Sequence, residues 1–268
     1  KFAKNDPEVI ENVKALLKTP EQVLEAAKYL DEDKIAPLVP LILAVARDES
    51  RPQEMRVAAL RKIQWSEVKI DEVNKKERDR LIVSVLDKET VPLHERLELL
   101  GALQEAPPEH TLLKLAEVLN PEQASKVIAE GGNLRSLLDC LTESSHPLIK
   151  EKLERYFFAN PKEFLASYKE WLRDHLQEVE DSKKELILET IFKLIQPTPN
   201  SIKIKPAKFI LKFGADEKYR DRTVDVLSDF VKTGEAEQYE KKSDACDLIL
   251  KYSEDQVRKK ITIQKSQK

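Results

Sequence analysis

A pattern that returns after forty residues constrains this chain more than any other feature. Set against each other without a gap, Leu41–Gln64 and Leu81–Gln104 agree at eight of 24 positions: Leu41/Leu81, Ile42/Ile82, Val45/Val85, Glu49/Glu89, Pro52/Pro92, Arg56/Arg96, Leu60/Leu100 and Gln64/Gln104. A fixed offset repeats the apolar positions at the same place in successive units. A chain of that kind stacks copies of one supersecondary unit, each burying its apolar side against the next.

The units are read as helical. Charged residues make up 35% of the 268 positions and glycine only 5, a balance that suits solvated helices better than sheets with their glycine-rich turns. Prolines mark helix starts, since a residue without an N–H is tolerated where that N–H has no intrahelical acceptor. Asp6-Pro7, Thr19-Pro20, Asn120-Pro121 and Asn160-Pro161 each put a capping oxygen before proline, and Ser145-His146-Pro147 does so one residue earlier. Thr19 with Gln22 and Ser50 with Gln53 have capping-box spacing. From these starts we expect helices near 7–18, 20–30, 36–48, 52–64, 75–88, 92–105, 108–119, 121–130, 133–143, 146–159, 161–180 and 183–196, joined by short loops, and later ones near 206–213, 216–232 and 235–252. Short connections make consecutive helices antiparallel neighbours.

The second helix of each forty-residue unit, Arg56-Val-Ala-Ala-Leu-Arg-Lys-Ile63 and Arg96-Leu-Glu-Leu-Leu-Gly-Ala-Leu103, resembles the second helix of a HEAT repeat. The resemblance covers about residues 33–105. It implies an all-α fold of HEAT or armadillo-like type: a right-handed α-solenoid of stacked antiparallel hairpins, irregular beyond residue 105, with a curved surface that holds partners.

Along the chain, the expected organisation is a helical repeat array over 1–196, a proline-rich linker over 197–206, a C-terminal helical cap over 207–252 and a basic, frayed tail over 253–268. Gly131-Gly132 stops a helix, and Gly214 and Gly234 separate the last ones. The longest strongly apolar stretch, Pro37–Ala46, is half of the roughly 20 residues a membrane span needs, so no span is expected. Met55 is the only methionine and the chain opens on Lys1, which leaves the compartment open. Cys140 and Cys246 are read as two buried thiols.

Catalytic signatures are sparse. Glycines at 101, 131, 132, 214 and 234 form neither a dinucleotide fingerprint nor a phosphate loop. His94, His110, His146 and His175 have no metal-ligand spacing among themselves. His94-Glu95 is similar to the dipeptides of a HEAT-like di-iron hydroxylase, which needs several such pairs where this chain has one. We therefore expect no cofactor and no enzymatic activity.

Three features are candidates for binding. Arg56 and Arg96 either line a groove for acidic partners or bond a neighbouring acid or loop carbonyl to set the stacking. Phe164, Tyr168, Trp171 and His175 step by four, three and four, one stripe of a helix over 161–180 that either packs in the core or lines an aromatic groove. Thr190–Ala215 holds Lys193, Lys203, Lys205, Lys208 and Lys212 and no acid, a solvated linker or a patch for anions, with Ile202, Ile204, Phe209 and Phe213 interleaved. With a net charge of −3 the chain as a whole is not drawn to polyanions, so nucleic acid is disfavoured. The expected role is a non-catalytic interaction scaffold holding a protein or peptide. The alternative is an enzyme or nucleic-acid binder that uses the basic 193–212 region, as in HEAT-like DNA glycosylases or bilin lyases.

Overall fold

Most of the helices here are too short to stand alone in water and persist because an apolar stripe is covered by neighbours. The computed structural model describes residues 15, 17–28, 35–63, 70–103, 105–129, 134–195, 202–214, 217–233 and 239–266. Most of the helix expected over 7–18, Gly131-Gly132, Gly234 and residues 197–201 of the expected linker lie outside them. Among the described residues the structure is all-helical, with no strand. The chain divides into two compact units, 1–154 and 155–268, at a point inside one helix and well before the proline-rich segment read as the boundary.

In the first unit, α1 (Pro20–Lys28) is followed by a 3₁₀ turn over Ala36–Leu38 leading into α2 (Val39–Arg47), then α3 (Gln53–Lys62), α4 (Glu72–Leu86), α5 (Leu93–Leu100), α6 (Glu109–Ala116), α7 (Pro121–Ala129), α8 (Arg135–Thr142) and α9 (Pro147–Ala159), which crosses the division. From α1 to α5 each helix packs on its first and second neighbours along the chain, and α6 packs on α4. Then α8 packs on α5 and α6, while α7 rests on the 3₁₀ turn that ends α6. The core is aliphatic: Leu38, Ile42, Ile63, Ile82, Leu86 and Leu99 are completely excluded from solvent. Burying such a side chain contributes about 1.5–3 kcal/mol.

The forty-residue repeat is also present in the backbone. Pro52 and Pro92 precede α3 and α5 in the same extended conformation, with φ −53°, ψ 141° and φ −50°, ψ 137°. Each carbonyl then accepts from the amides three and four residues on. These prolines, and Pro108 before α6, sit just outside the helix and not in its first turn as the sequence reading has it. Second-neighbour helices carry polar ties: Arg47 to Glu77 at 2.8 Å across α2 and α4, and Arg61 to Glu98 at 2.7 Å across α3 and α5. Half-exposed pairs of this sort contribute about 0–1 kcal/mol each, so they set register more than stability.

The caps are a mixed outcome. Thr19 and Gln22 form the reciprocal box, with the Gln22 amide donating to Thr19 Oγ1 and the Thr19 amide to Gln22 Oε1. Asn120 accepts from the Glu122 amide. Ser50 does not cap α3; its hydroxyl donates to Asp48, and Gln53 accepts from Thr90. Before α9 the acceptor is His146 Nδ1, bonded by the Leu148 amide, in place of Ser145. Asn160 turns its amide back to the Tyr156 carbonyl. Asp71, unremarked in the sequence, caps α4 through the Val73 and Asn74 amides.

The second unit holds α10 (Pro161–Ser167), α11 (Lys169–Glu178), α12 (Asp181–Lys193), α13 (Ile204–Phe213), α14 (Glu217–Thr233) and α15 (Tyr239–Ser266). The single helix expected over 161–180 is broken at Tyr168, whose φ −124°, ψ 34° is not helical. Neither proline nor glycine marks the break, so the periodicity runs straight through it. The stretch 253–266 read as a frayed tail continues α15, since extending a helix already anchored on its neighbours gains one backbone bond per residue fixed. The core here is aromatic as well as aliphatic, with Phe157, Phe164 and Tyr219 at most 1% exposed among Ile187, Ile191, Ile210 and Leu227.

Candidate functional site

The two recurrent arginines are buried or half-buried in their own hairpins. Arg56 is 8% exposed and donates from Nε to the Ala46 carbonyl at 2.9 Å. Arg96, half-buried, donates from Nη1 to the Leu86 carbonyl at 3.2 Å. Both reach back ten residues to the last turn of the preceding helix, where carbonyls lack intrahelical partners. Burial pushes the Arg96 guanidinium below its ordinary value against the opposing pull of Glu89.

The aromatic series is distributed by the break at Tyr168. Phe164 lies at its centre, with ring centroids 5.2 Å from Tyr168, 5.4 Å from Trp171 and 5.8 Å from Phe157. Trp171 is half-buried and stacks on the buried His175 at 4.4 Å. Such contacts are those of a packed cluster.

The lysines are placed differently. On α13, Lys205, Lys208 and Lys212 recur at three and four residues and share one face, and Lys203 stands at the helix start. All four are exposed. Pro206, Ala207, Phe209 and Ile210 are buried as α13 packs on α12, α14 and α15. Pro206 falls in the first turn, where its missing N–H leaves no gap in the ladder. Gly214 ends the helix: a Cβ there would lie 2.6 Å from the Ile210 carbonyl oxygen.

Facing these lysines are α10 and α11, and between them runs a groove of two contiguous cavities of about 410 and 360 Å³ that share Leu165, Ala166 and Lys205. Leu165, Ala166, Leu194, Ile204, Pro206, Phe209 and Phe213 give it an apolar floor. One wall carries Lys203, Lys205, Lys208 and Lys212; the other carries Lys162 and Lys169 with Glu163 and Glu170. Trp171 does not line it.

Among the described residues none of Lys203, Lys205, Lys208 and Lys212 has a carboxylate within salt-bridge distance; Lys212 instead stands 4.8 Å over the Phe213 ring. The first turn of α13 also lacks the acidic residue that opens most of the other helices. Like charges at three- and four-residue spacing cost a helix about 0.2–0.5 kcal/mol per pair. This lysine row therefore opposes the folding of α13, and within the described structure only Lys212, over the Phe213 ring, has a compensating contact of its own.

The sequence points to the lysines but not to their opposite wall, which comes from residues some forty positions earlier. Lys162 and Lys169, exposed and seven residues apart, were the available signal. Outside the groove, the displaced carboxylates have local causes. Burial tends to raise Asp87, but bonds from Thr111 and His110 and the Lys114 charge outweigh it and lower it. Glu189 is lowered chiefly by its bond from Arg222. Among the described residues no three His, Cys, Asp or Glu side chains converge as a metal would require. No described helix is long and apolar enough to cross a membrane. Cys140 and Cys246 are free and half-buried, and burial with nearby Glu143 and Asp139 pushes the Cys140 thiol up to about 11.

No protein-family model, curated protein or solved structure matches the chain.

Proposed function

We propose that the chain is a non-catalytic helical-repeat scaffold, of HEAT or armadillo-like kind, that docks a segment of a partner protein in the groove between α10, α11 and α13. The observation that carries this reading is the groove itself: an apolar floor long enough for a short peptide, rimmed by exposed cations that the fold does not use. Apolar contact supplies affinity in such a groove, and flanking charges supply orientation and rate. The repeat reading is supported by the matching backbone of Pro52 and Pro92, the matching arginine bonds, and the packing of successive helices on first and second neighbours.

Ala166 is exposed and lines both cavities, so Ala166→Trp fills the groove without touching the core. Affinity capture from the source organism should recover a protein with the unmodified chain and lose it with Ala166→Trp, at equal thermal stability. A partner retained equally by both, or turnover of a small molecule unaffected by the substitution, overturns the reading.

A further inference from the structure

The two walls of the groove differ, and the difference specifies what fits between them. The α13 wall presents Lys203, Lys205, Lys208 and Lys212 with no acid, while the opposite wall sets Lys162 and Lys169 beside Glu163 and Glu170. Resting on the docking role proposed above, we infer that the occupant is an acidic amphipathic helix, its apolar stripe on the Leu165–Ala166 floor and its carboxylates turned toward α13.

Several observations select this occupant over nucleic acid. The cations are all lysines, point charges without the planar fork that grips phosphate in two places. Two glutamates stand on the rim, where a phosphate backbone would meet repulsion. Phe209 is buried and Phe213 is faced by Lys212 and Arg173, so neither ring is open for a base to stack on. A floor that is mainly aliphatic, with Phe209 and Phe213 at one end, matches the leucine-type anchors of a helix, spaced at three and four residues. Length agrees too: ten residues of α13 span about 15 Å at a rise of 1.5 Å each, the reach of two to three turns of a docked helix.

The test uses a fluorescent helical peptide of about 16 residues, with leucines at i, i+3, i+4 and i+7 and glutamates flanking that stripe. Its comparators are the same peptide with every glutamate replaced by glutamine, and a single-stranded oligouridylate of equal charge. Fluorescence anisotropy should show the acidic peptide binding at least about tenfold tighter than its glutamine counterpart, with an advantage that shrinks as salt shortens the screening length. Lys205→Glu/Lys208→Glu/Lys212→Glu should abolish that tenfold advantage, whereas Lys162→Glu/Lys169→Glu on the mixed wall should change affinity no more than about threefold. Unchanged melting temperatures establish that both variants fold.

Equal binding of the acidic and glutamine peptides, equal losses from the two walls, or tighter binding of the oligouridylate overturns the inference. Lysine acetylation footprinting separates the two levels. If the glutamine peptide protects Lys205 and Lys208 as well as the acidic one does, the docking role stands and the acidic occupant falls. If no peptide protects them, both fall.

Discussion

The first unit buries the cations that recur in its sequence, and the second displays the cations that cluster in its own. Arg56 and Arg96 return at a fixed interval, and each is spent on a carbonyl inside its own hairpin. The lysines of α13 crowd one short stretch, and among the described residues no carboxylate answers them. Regular recurrence of a charge marks a part of the architecture, while local crowding without counter-charge marks a surface that the architecture does not need. The cores differ in the same sense, aliphatic in the first unit and built around edge-to-face rings in the second.

The largest effect that sharpens this contrast is in the second unit's rings. Phe164→Ala removes the side chain that touches Tyr156, Phe157, Tyr168 and Trp171, and should destabilise the protein by about 3–5 kcal/mol in denaturant unfolding. A loss under about 1 kcal/mol would place the cluster at the surface, as a binding groove would have it.

Next come the arginines. Arg56→Leu leaves the Ala46 carbonyl without its donor and should cost about 2 kcal/mol, with a smaller cost for Arg96→Leu at its less buried counterpart. If neither moves the unfolding midpoint, the two residues are ligands-in-waiting and the contrast between the units fails.

Titration separates the units at opposite ends of the pH scale. Burial, then the bond and charge of Glu189 and the charge of Glu185, push Tyr219 up to about 12. Its folded value lies above the ordinary phenol value of about 10, so its stabilisation is complete below that pH and is lost as pH rises toward 12. An alkaline unfolding step in this range should disappear in Tyr219→Phe. Asp87, in the first unit, is held below the carboxylate range, so its contribution is present above pH of about 4 and is lost as pH falls through the folded value. Asp87→Asn should flatten the acid limb, read by circular dichroism.

The smallest effect is expected where the binding proposal is strongest. Lys205→Glu, Lys208→Glu and Lys212→Glu each replace an exposed side chain, and each should shift stability by no more than about 0.5 kcal/mol. A loss several times larger would show that the row is structural.

Helix positions were legible in the sequence wherever local chemistry fixed them. Thr19 and Gln22 cap as their spacing requires, and apolar recurrence located α2 to α5 to within a few residues. Misreadings arose where a competitor took the expected partner: Asp48 took the Ser50 hydroxyl, and Thr90, on a different loop, took Gln53. The break at Tyr168 escaped because nothing in its composition opposes a helix. The groove was half legible. Its lysines lie together in sequence, but its floor and second wall are contributed by α10 and α11, and only folding brings those within reach.

The arginine bonds have a consequence for how such a molecule can change its length. Ala46 and Arg56 belong to one forty-residue block, as do Leu86 and Arg96, so each clasp closes within its own block. Duplicating or excising a block therefore carries its clasp along intact, and what must be rematched at the splice are the apolar faces and the ties that join one block to the next, Arg61 to Glu98 and Thr90 to Gln53.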